Sequence, residues 1–370
     1  MIPVFETNFA KIVERIEAID PIKYGKTRNF INGDVTYLSP YISRGVISVN
    51  DVKNNILKRG YKPYQVEKFI QELAWREYFQ RVWQAKGDFL FSDLKNAQDG
   101  VSHYQMPSAI VEAQTGIQTI DHSINELYRT GYMHNHFRMY LASIATNIGK
   151  AHWSAPATWM YYHLLDGDLA SNTCSWQWVC GAFSSKKYYC NQENINKYTG
   201  STQVNSFLSK SYDELPELAV PEALKAAAPN DLTTPLPIDA SSIKLDSALP
   251  ILVYNHYNLD PNWRINEDAN RILLLEPSHF KMFPVSELVV RFIINLSKNI
   301  PNCQVFVGDW SEFKRHLFNS GASLRELFFK EHPITEHWEG NKDSRDWMFP
   351  MVTGYFPSFF SYWKKSERYL

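Results

Sequence analysis

Cysteine is scarce in this chain of 370 residues, with Cys174, Cys180, Cys190 and Cys303 as its only examples. None of them forms a CxxC pair, the spacing typical of metal and iron–sulfur sites. Ordinary reduced thiols are therefore favoured over a metal or iron–sulfur cluster bound by the first three cysteines, and no metal is expected. No apolar run approaches the length of a membrane span, and the N-terminus lacks the order of a signal peptide. These absences predict a soluble, cytoplasmic protein without a membrane partner.

A strong net charge is also absent, since the formal charge is −1. Basic residues are slightly in excess over residues 1–210 and acidic residues over residues 211–370. A nucleic-acid surface would therefore be a local patch in the first half, and the weak overall charge is equally compatible with no DNA binding.

Hydrophobic residues (44%) and aromatic residues (15%) are plentiful enough to build two domains. The pattern of residues 1–210 is typical of helices, and its periodicity predicts one long helix over residues 64–86. Residues 211–250 contain six prolines, which predict a linker or an extended surface wrap. In residues 251–370, the runs ILVYNHY, RILLLE and QVFVGD alternate with helical text such as SELVVRFIINLSKNI. The predicted fold class is mainly α, with a helical domain followed by a small Rossmann-like parallel α/β domain whose C-terminal aromatic tail packs against the helical half.

The stretch from Gly131 to Trp178 contains polar residues at helical spacing within apolar text. Arg138 would be costly to bury alone, and Asp166 and Asp168 are suitable partners. A purely structural ion-pair network remains an alternative to a ligand site.

Several motifs occur in one order along the first half of the chain: YGKTRNF, TYLSPYISRG, ELAWRE, TGYMHNHFRM and DGDLASNTCSWQW. Together they resemble the photolyase/cryptochrome family, whose helical domain holds FAD. In most of that family an α/β domain precedes the FAD domain, whereas here the α/β text follows it. The resemblance implies a photolyase-type FAD-binding domain over residues 1–210 and leaves the presence of an antenna chromophore open.

The resemblance assigns a set of residues to FAD. They are Tyr24, Thr36, Leu38, Ser39, Arg76, Asn135, Arg138, Asp166, Asp168 and Asn172. Asn172 falls on the position beside flavin N5. Thr36 and Ser39 precede a helix begun by Pro40, where hydroxyls suit a phosphate but also serve as ordinary N-caps.

The resemblance also assigns a DNA surface and an electron route. The predicted substrate residues are Arg28, Glu72, Trp75, Asn135, Met139, Trp178, Lys186 and Lys187. Trp176 and then Trp153 correspond to electron donors to the flavin, and with Glu72 and Asn172 they form the predicted catalytic set; the tryptophans could instead be core aromatics. The family's third, surface tryptophan has no counterpart between Asn96 and Ile110, where Tyr104 is the redox-active ring.

The implied function is light-driven repair of cyclobutane pyrimidine dimers in damaged DNA by a monomeric lyase. The family's (6-4) repair enzymes carry histidines at two positions that read Asn135 and Met139 here, and neither side chain titrates near neutral pH. One alternative is a blue-light photoreceptor that uses the same flavin for signalling. Another is a flavin-binding fold without light chemistry, because a fold does not fix a function.

Overall fold

The computed structural model describes residues 2–229, 231–237, 243–321 and 323–370. The chain forms two compact units that are discontinuous in sequence. The helical unit contains residues 20–35 and 78–232, and the sheet unit contains residues 3–19, 36–77 and 233–370. The sequence predicts domain boundaries at residues 210 and 250, and that division stays a prediction.

Most of the helices lie in the first 200 residues. They are α1 (Phe9–Glu17), α2 (Pro21–Thr27), α3 (Ser39–Ser43), α4 (Val49–Lys58), α5 (Pro63–Lys86), α6 (Ser108–Val111), α7 (Gln118–Thr130), α8 (Asn135–Ala142), α9 (Ser154–His163), α10 (Leu169–Cys180), α11 (Gln192–Thr199), α12 (Pro277–Met282), α13 (Glu287–Ser297), α14 (Trp310–Asn319) and α15 (Phe359–Ser366). The predicted long helix over residues 64–86 is confirmed as α5. None of these helices, over the ranges that the structure describes, has the length and apolarity needed to cross a bilayer.

The strands form a small antiparallel pair and one larger sheet. They are β1 (Met106–Pro107), β2 (Ala227–Ala228), β3 (Ile251–Tyr254), β4 (Asn270–Leu275), β5 (Gln304–Val307), β6 (Leu327–Lys330) and β7 (Asn341–Asp343).

The sheet unit is built around a parallel sheet with strand order β5-β4-β3-β6-β7. Its central strands, β3 and β4, are buried along their whole length, which explains their continuous apolar text. Helices α12 and α13 connect β4 to β5, and α14 connects β5 to β6. The predicted parallel α/β layer is confirmed.

The helical unit packs around a cluster of fully buried residues that includes Ile124, Leu141, Trp159 and Trp176. One turn of π-helix (Ser143–Ile148) follows α8 directly, and such turns occur often at functional sites. Asn147 in that turn is buried and donates hydrogen bonds to the carbonyls of Val179 (3.1 Å) and Tyr188 (2.7 Å). The π-helical turn therefore fixes the chain on both sides of the end of α10.

The proline-rich segment packs on the helical unit over its first part. Leu215 and Leu224 are fully buried, and β2 pairs with β1 in antiparallel register. This agrees with an extended wrap rather than a free linker over residues 211–228. Asn230 and residues 238–242 of the predicted linker lie outside the described residues.

The C-terminal aromatic segment packs within the sheet unit on α4 and the first part of α5. Buried Glu77 accepts hydrogen bonds from the Tyr362 hydroxyl (2.7 Å), the Phe349 amide (2.9 Å) and the Met348 amide. Lys53 on α4 donates to the Met348 carbonyl (3.2 Å). The predicted contact between the C-terminal aromatic tail and the helical first half of the sequence is therefore confirmed.

Candidate functional site

The turn between α7 and α8 positions the predicted site residues of the helical unit. Helix α7 ends at Gly131, whose φ of +69° is a left-handed conformation that favours glycine. Four residues later α8 begins, and the His134 side chain caps it by accepting the His136 amide (3.2 Å). The sharp turn brings Asn135, Arg138 and Met139 onto one short helix.

Arg138 and Asp166 form the ion pair that the sequence predicted. The Arg138 NH2 group donates to both Asp166 carboxylate oxygens, at 2.8 and 3.0 Å, and Nε donates to the Met133 carbonyl at 2.7 Å. The Asp166 side chain is 5% exposed and that of Arg138 is 23% exposed. The guanidinium is thus fixed in a partly buried position, where its charge is weakly screened.

Asp168 is held separately from that pair. One carboxylate oxygen accepts the Ser171 amide (2.7 Å) as the N-cap of α10, and the other accepts the Gln80 side chain (2.6 Å). Asn172 follows on the first turn of α10 and donates from its side chain to the Ala157 carbonyl (2.9 Å). These bonds fix the orientations of Asp168 and Asn172 at the start of one helix.

Two histidines flank Asn135, and both are neutral at neutral pH. Burial lowers the pKa of His134 to about 4, with a smaller contribution from His136, and burial also lowers the pKa of His136. His134 Nδ1 accepts the His136 amide, so Nε2 carries the proton and donates to the Arg28 carbonyl (3.1 Å). Both ring nitrogens of His134 are therefore occupied.

Asn135 and Met139 lie one helical turn apart and contact each other. The Asn135 amide nitrogen is 3.7 Å from the Met139 sulfur, and Asn135 is exposed. Neither side chain can exchange a proton near neutral pH.

Tyr24 and Arg28 lie at the end of α2 in the same unit. Arg28 donates to the Gly25 carbonyl (3.0 Å), and its guanidinium carbon is 6.0 Å from the centre of the Tyr24 ring. The pair is partly buried, and their predicted roles at FAD and at a DNA phosphate stay predictions.

Three tryptophans of the helical unit occupy different environments. Trp153 and Trp176 are buried and belong to the same hydrophobic cluster, whereas Trp178 is 37% exposed and lies 5.9 Å from the Tyr188 ring. The first indole of the WQW motif is thus buried, and the second is partly exposed. Their roles in electron transfer and in a substrate cavity stay predictions.

The two lysines predicted to contact DNA differ in their surroundings. Lys186 is exposed. Lys187 donates to the Asp99 backbone carbonyl (2.7 Å), and its ammonium is 3.5 Å from the Asp99 carboxylate. The role of both lysines in DNA binding stays a prediction.

The remaining predicted cofactor residues lie in the sheet unit. Thr36 accepts the Leu38 amide (3.3 Å), and Ser39 is the first residue of α3, which has five residues. Leu38 occupies the N-cap position without a side-chain cap. Ordinary capping by Ser39 is therefore not observed, and its assignment to FAD stays a prediction.

Glu72, Trp75 and Arg76 lie on α5 at the predicted three- and four-residue spacing, all partly buried. Arg76 donates to the Ser43 hydroxyl (3.0 Å). The Trp75 indole stacks on Phe359, with ring centres 3.9 Å apart and planes at 10°. One face of Trp75 is thus covered by the C-terminal helix α15. The local sequence around Trp75, a predicted substrate residue, does not indicate this contact.

Sequence reasoning also missed side chains that hold the site. Asp93 accepts the Trp153 indole N–H (2.7 Å), and Gln98 accepts the Trp153 amide (2.9 Å). Both lie in polar loop text without a local motif, so only their position beside Trp153 identifies them. His152 also lies beside Trp153, and its position next to Trp153 in the sequence could have identified it.

The polar groups of the helical unit fit a flavin dinucleotide. They comprise a fixed cation at Arg138, carboxylates at Asp166 and Asp168, and an oriented amide at Asn172. The Ser171 hydroxyl, beside Asn172, is buried and has no hydrogen-bond partner within the described part of the chain. The same described ranges contain no group of three or more His, Cys, Asp or Glu side chains that could hold a metal ion.

Residues 69–230 match the family model of the FAD binding domain of DNA photolyase. The chain is 32% identical over 151 residues to a deoxyribodipyrimidine photo-lyase of Streptomyces griseus, covering 40% of this chain and 33% of that protein. It is also 32% identical over 172 residues to a cryptochrome DASH of Danio rerio, covering 43% of this chain and 32% of that protein. The chain thus spans about a third of the length of these relatives.

Among solved structures, a cryptochrome of Synechocystis is similar, with 25% identity and a TM-score of 0.48 over 53% of this chain and 44% of that one. The family-model match over residues 69–230 includes Arg138, Asp166, Asp168 and Asn172. Residues 69–230 of this chain are thus similar to the FAD-binding domain of the photolyase/cryptochrome family.

Proposed function

We propose that this chain is a light-driven DNA repair enzyme that binds FAD and splits cyclobutane pyrimidine dimers. The observation that carries the choice of lesion is the contact between Asn135 and Met139 beside a neutral His134. The relatives named photo-lyase support repair as the reaction class. The chain spans only about a third of them, so activity and substrate are inferences.

FAD, when bound, supplies the light-driven electron transfer that breaks the dimer. Arg138 offers it a cation whose position is fixed by Asp166 and the Met133 carbonyl. Asn172 and Asp168 offer an oriented amide and a carboxylate at the start of α10. The resemblance also assigns Thr36, Leu38, Ser39 and Arg76 to FAD, and these assignments stay predictions.

The chemistry of the lesion follows from what the site residues cannot do. Splitting a cyclobutane dimer needs an electron and no acid, whereas repair of a (6-4) product calls for proton transfer. Asn135 and Met139 do not titrate near neutral pH. His134 is also unsuitable as an acid, because burial lowers its pKa to about 4 and both its nitrogens are hydrogen-bonded. The residues therefore favour the cyclobutane lesion.

DNA binding is proposed to use Arg28 and Lys186 for phosphates, with Lys187 contributing less because of Asp99. Glu72, Trp75 and Trp178 are the predicted contacts to the lesion itself. A dimer inside the duplex is inaccessible, and extruding a damaged step costs less than extruding an intact one. Because phosphate contacts release counterions, binding should weaken as the salt concentration rises.

The test is illumination of the purified protein, loaded with FAD and reduced, together with an oligonucleotide that contains one cyclobutane dimer. We expect dimer loss under blue light and none in the dark. A matched oligonucleotide with a (6-4) product should stay unrepaired. Repair of the (6-4) product but not of the dimer would contradict the lesion assignment. Repair of neither lesion would contradict the proposal that the chain is a DNA repair enzyme.

A blue-light photoreceptor is the second candidate, because relatives named cryptochrome DASH are as similar to this chain as relatives named photo-lyase, at 31–32% identity. It would use FAD and the buried Trp153 and Trp176 without a DNA product. Light-dependent changes in hydrogen exchange, in a protein that binds FAD but leaves both lesions intact, would favour this candidate.

A further inference from the structure

The parallel sheet has a topological switch point between two of its central strands. The chain runs from β3 outwards through β4 to β5 and then returns to the other side of β3 at β6. Because the connections leave β3 and β6 in opposite directions, sheets of this kind form a crevice beyond the carboxyl ends of those strands. Residues 255–258 directly follow β3, and His332 lies two residues after β6.

Aromatic side chains of the chain itself fill this crevice. The rings of Tyr257 and His332 stack, with centres 4.8 Å apart and planes at 23°. The His256 ring centre lies 4.2 Å from that of Tyr257 and 4.7 Å from that of His279, which belongs to α12. Because four rings already occupy this space, a ligand bound among them would be about the size of an ion.

Polar nitrogens in this ring cluster lack acceptors. Four of them are buried without a hydrogen-bond partner among the residues that the structure describes: Nδ2 of Asn255, Nδ2 of Asn258, Nε2 of His256 and Nε2 of His279. Asn255, His256 and Asn258 are only 2%, 3% and 5% exposed. Oδ1 of Asn255 accepts the Tyr257 amide (2.8 Å), which fixes the orientation of the Asn255 side chain. Buried donors without acceptors are rare because they lose their hydration, so a bound acceptor would explain all four nitrogens.

The charge beside the cluster favours an anion. Arg44 is fully buried, and its guanidinium carbon lies 5.8 Å from the centre of the Tyr257 ring. Burial is the main cause that lowers the pKa of His256 and of His279, and the positive charge of Arg44 lowers both further. The same charge repels a metal cation and attracts an anion, and the attraction is strong because little water screens it.

The carboxylate at the end of β4 is bound elsewhere. Glu276 accepts the Trp310 amide and His337 Nε2 on one oxygen, both at 2.9 Å, and the Trp338 indole N–H on the other, also at 2.9 Å. Both oxygens therefore have partners. Glu276 is not the acceptor that the ring cluster needs.

Backbone contacts hold Arg44 against the donors. The Leu259 amide donates to the Arg44 carbonyl (2.9 Å). Gly45 has a φ of +63°, and a Cβ at this position would lie 2.2 Å from the Tyr257 carbonyl oxygen. Only glycine permits this close approach. The cation and the polar nitrogens are thus kept together by the fold.

We propose that residues 255–258, His279 and Arg44 form a binding site for one monovalent anion of the size of chloride. The two asparagine NH2 groups and the Nε2–H groups of His256 and His279 donate to the anion, and Arg44 balances its charge. The site is separate from the proposed function, because none of these residues is assigned to FAD or to DNA.

Thermal unfolding of the full chain tests the site in solution. Sodium chloride should raise the unfolding midpoint along a one-site binding curve, because the anion binds the folded chain. Sodium gluconate at the same ionic strength should not, because gluconate is too large for the ring cluster. The chloride effect should persist at saturating FAD. Equal midpoints in the two salts would overturn the proposal, and so would loss of the chloride effect with FAD, which would assign the donors to the flavin.

A charge-changing variant tests the residues. Asn255→Asp keeps the acceptor for the Tyr257 amide and replaces the NH2 group with a carboxylate oxygen, which takes the place of the anion. We expect a folded protein whose unfolding midpoint no longer depends on chloride. Asn302→Asp, at an exposed position of the sheet unit, adds the same charge and should keep the full dependence. Equal chloride dependence in wild type and Asn255→Asp would overturn the proposal.

The contribution of His279 has its own pair of variants. His279→Phe keeps a ring beside His256 but removes the nitrogen donor, and should weaken the apparent affinity for chloride several-fold. His279→Gln retains an amide donor and should restore most of that affinity. Unchanged affinity in His279→Phe would contradict the assignment of this donor.

Crystallography locates the ion directly. Crystals of the full chain soaked in sodium bromide and measured at the bromine absorption edge should show an anomalous peak within hydrogen-bonding distance of Asn255 and Asn258. Bromide peaks confined to the protein surface would overturn the proposal, whatever the effect of salt on unfolding.

Discussion

At the scale of single residues, Arg138 and Asp166 of the helical unit form an ion pair whose carboxylate is buried. Arg138→Met removes the cation that is paired with a carboxylate only 5% exposed, and losing one member of a buried pair costs about 3 kcal/mol. We expect a loss of that size in the free energy of unfolding, measured by urea denaturation. Arg129→Met removes an exposed pair with Glu126 and should change stability little.

The Arg138 variant also separates the two interpretations of the pair that the sequence left open. If the pair is a flavin ligand, Arg138→Lys should keep most of the stability and lose affinity for FAD, because a lysine cannot reproduce the forked geometry. Unchanged affinity for FAD in Arg138→Lys would mean that the pair is structural. Titration with FAD, followed by flavin fluorescence, measures the difference.

A second prediction for a single residue concerns Trp176, which is buried in the core of the helical unit. Trp176→Phe should strongly slow light-driven reduction of bound FAD by a thiol, because phenylalanine is much harder to oxidise than tryptophan. The same variant, reduced chemically beforehand, should still repair a cyclobutane dimer. Normal photoreduction in Trp176→Phe would contradict the electron route.

At the scale of secondary-structure elements, Glu77 on α5 anchors the C-terminal segment through three donors. Tyr362→Phe removes one hydrogen bond to a buried carboxylate, which costs about 2 kcal/mol. We expect faster hydrogen exchange over residues 348–366, measured by mass spectrometry. Tyr369→Phe, at an exposed position near the same terminus, should leave hydrogen exchange over these residues unchanged. Unchanged protection in Tyr362→Phe would show that Glu77 does not hold the C-terminal segment.

At the scale of the whole molecule, buried histidines predict a loss of stability in mild acid. Burial lowers the pKa of His163 and of His279 to about 4. Burial is also the main reason why the pKa values of His256 and His332 lie well below 6.5. The unfolded chain binds protons to these groups below about pH 6.5, while the folded chain does not. The stabilising contribution is therefore present above pH 6.5 and is lost as the pH falls towards 4.

Denaturation between pH 5 and pH 8 measures this effect. Each such histidine can lower the free energy of unfolding by up to about 1.4 kcal/mol per pH unit below 6.5. His163→Gln should make the dependence shallower, and His122→Gln, at an exposed position, should leave it unchanged. Stability that stays constant or rises on acidification from pH 7 to pH 5 would contradict the prediction.

Local features of the fold followed from the sequence because they depend on neighbours along the chain. The periodicity of residues 64–86 predicted α5, and the apolar runs after residue 250 predicted the central strands. The pairing of Arg138 with an aspartate was predictable because a buried cation needs an acceptor. Docking of Tyr362 on Glu77 was not, because the two lie 285 positions apart and no local pattern links them.

By itself, the sequence determined the chemical character of the site and its family motifs. Asn135 and Met139 cannot transfer protons in any fold, and TGYMHNHFRM and DGDLASNTCSWQW are present before any packing. Only the tertiary structure decided which groups are neutral, paired or connected: the low pKa of His134, the pairing of Lys187 with Asp99, and the stacking of Tyr104 on His152. The physical reason is that desolvation and ring contacts depend on distance in space, which the packing of distant segments sets.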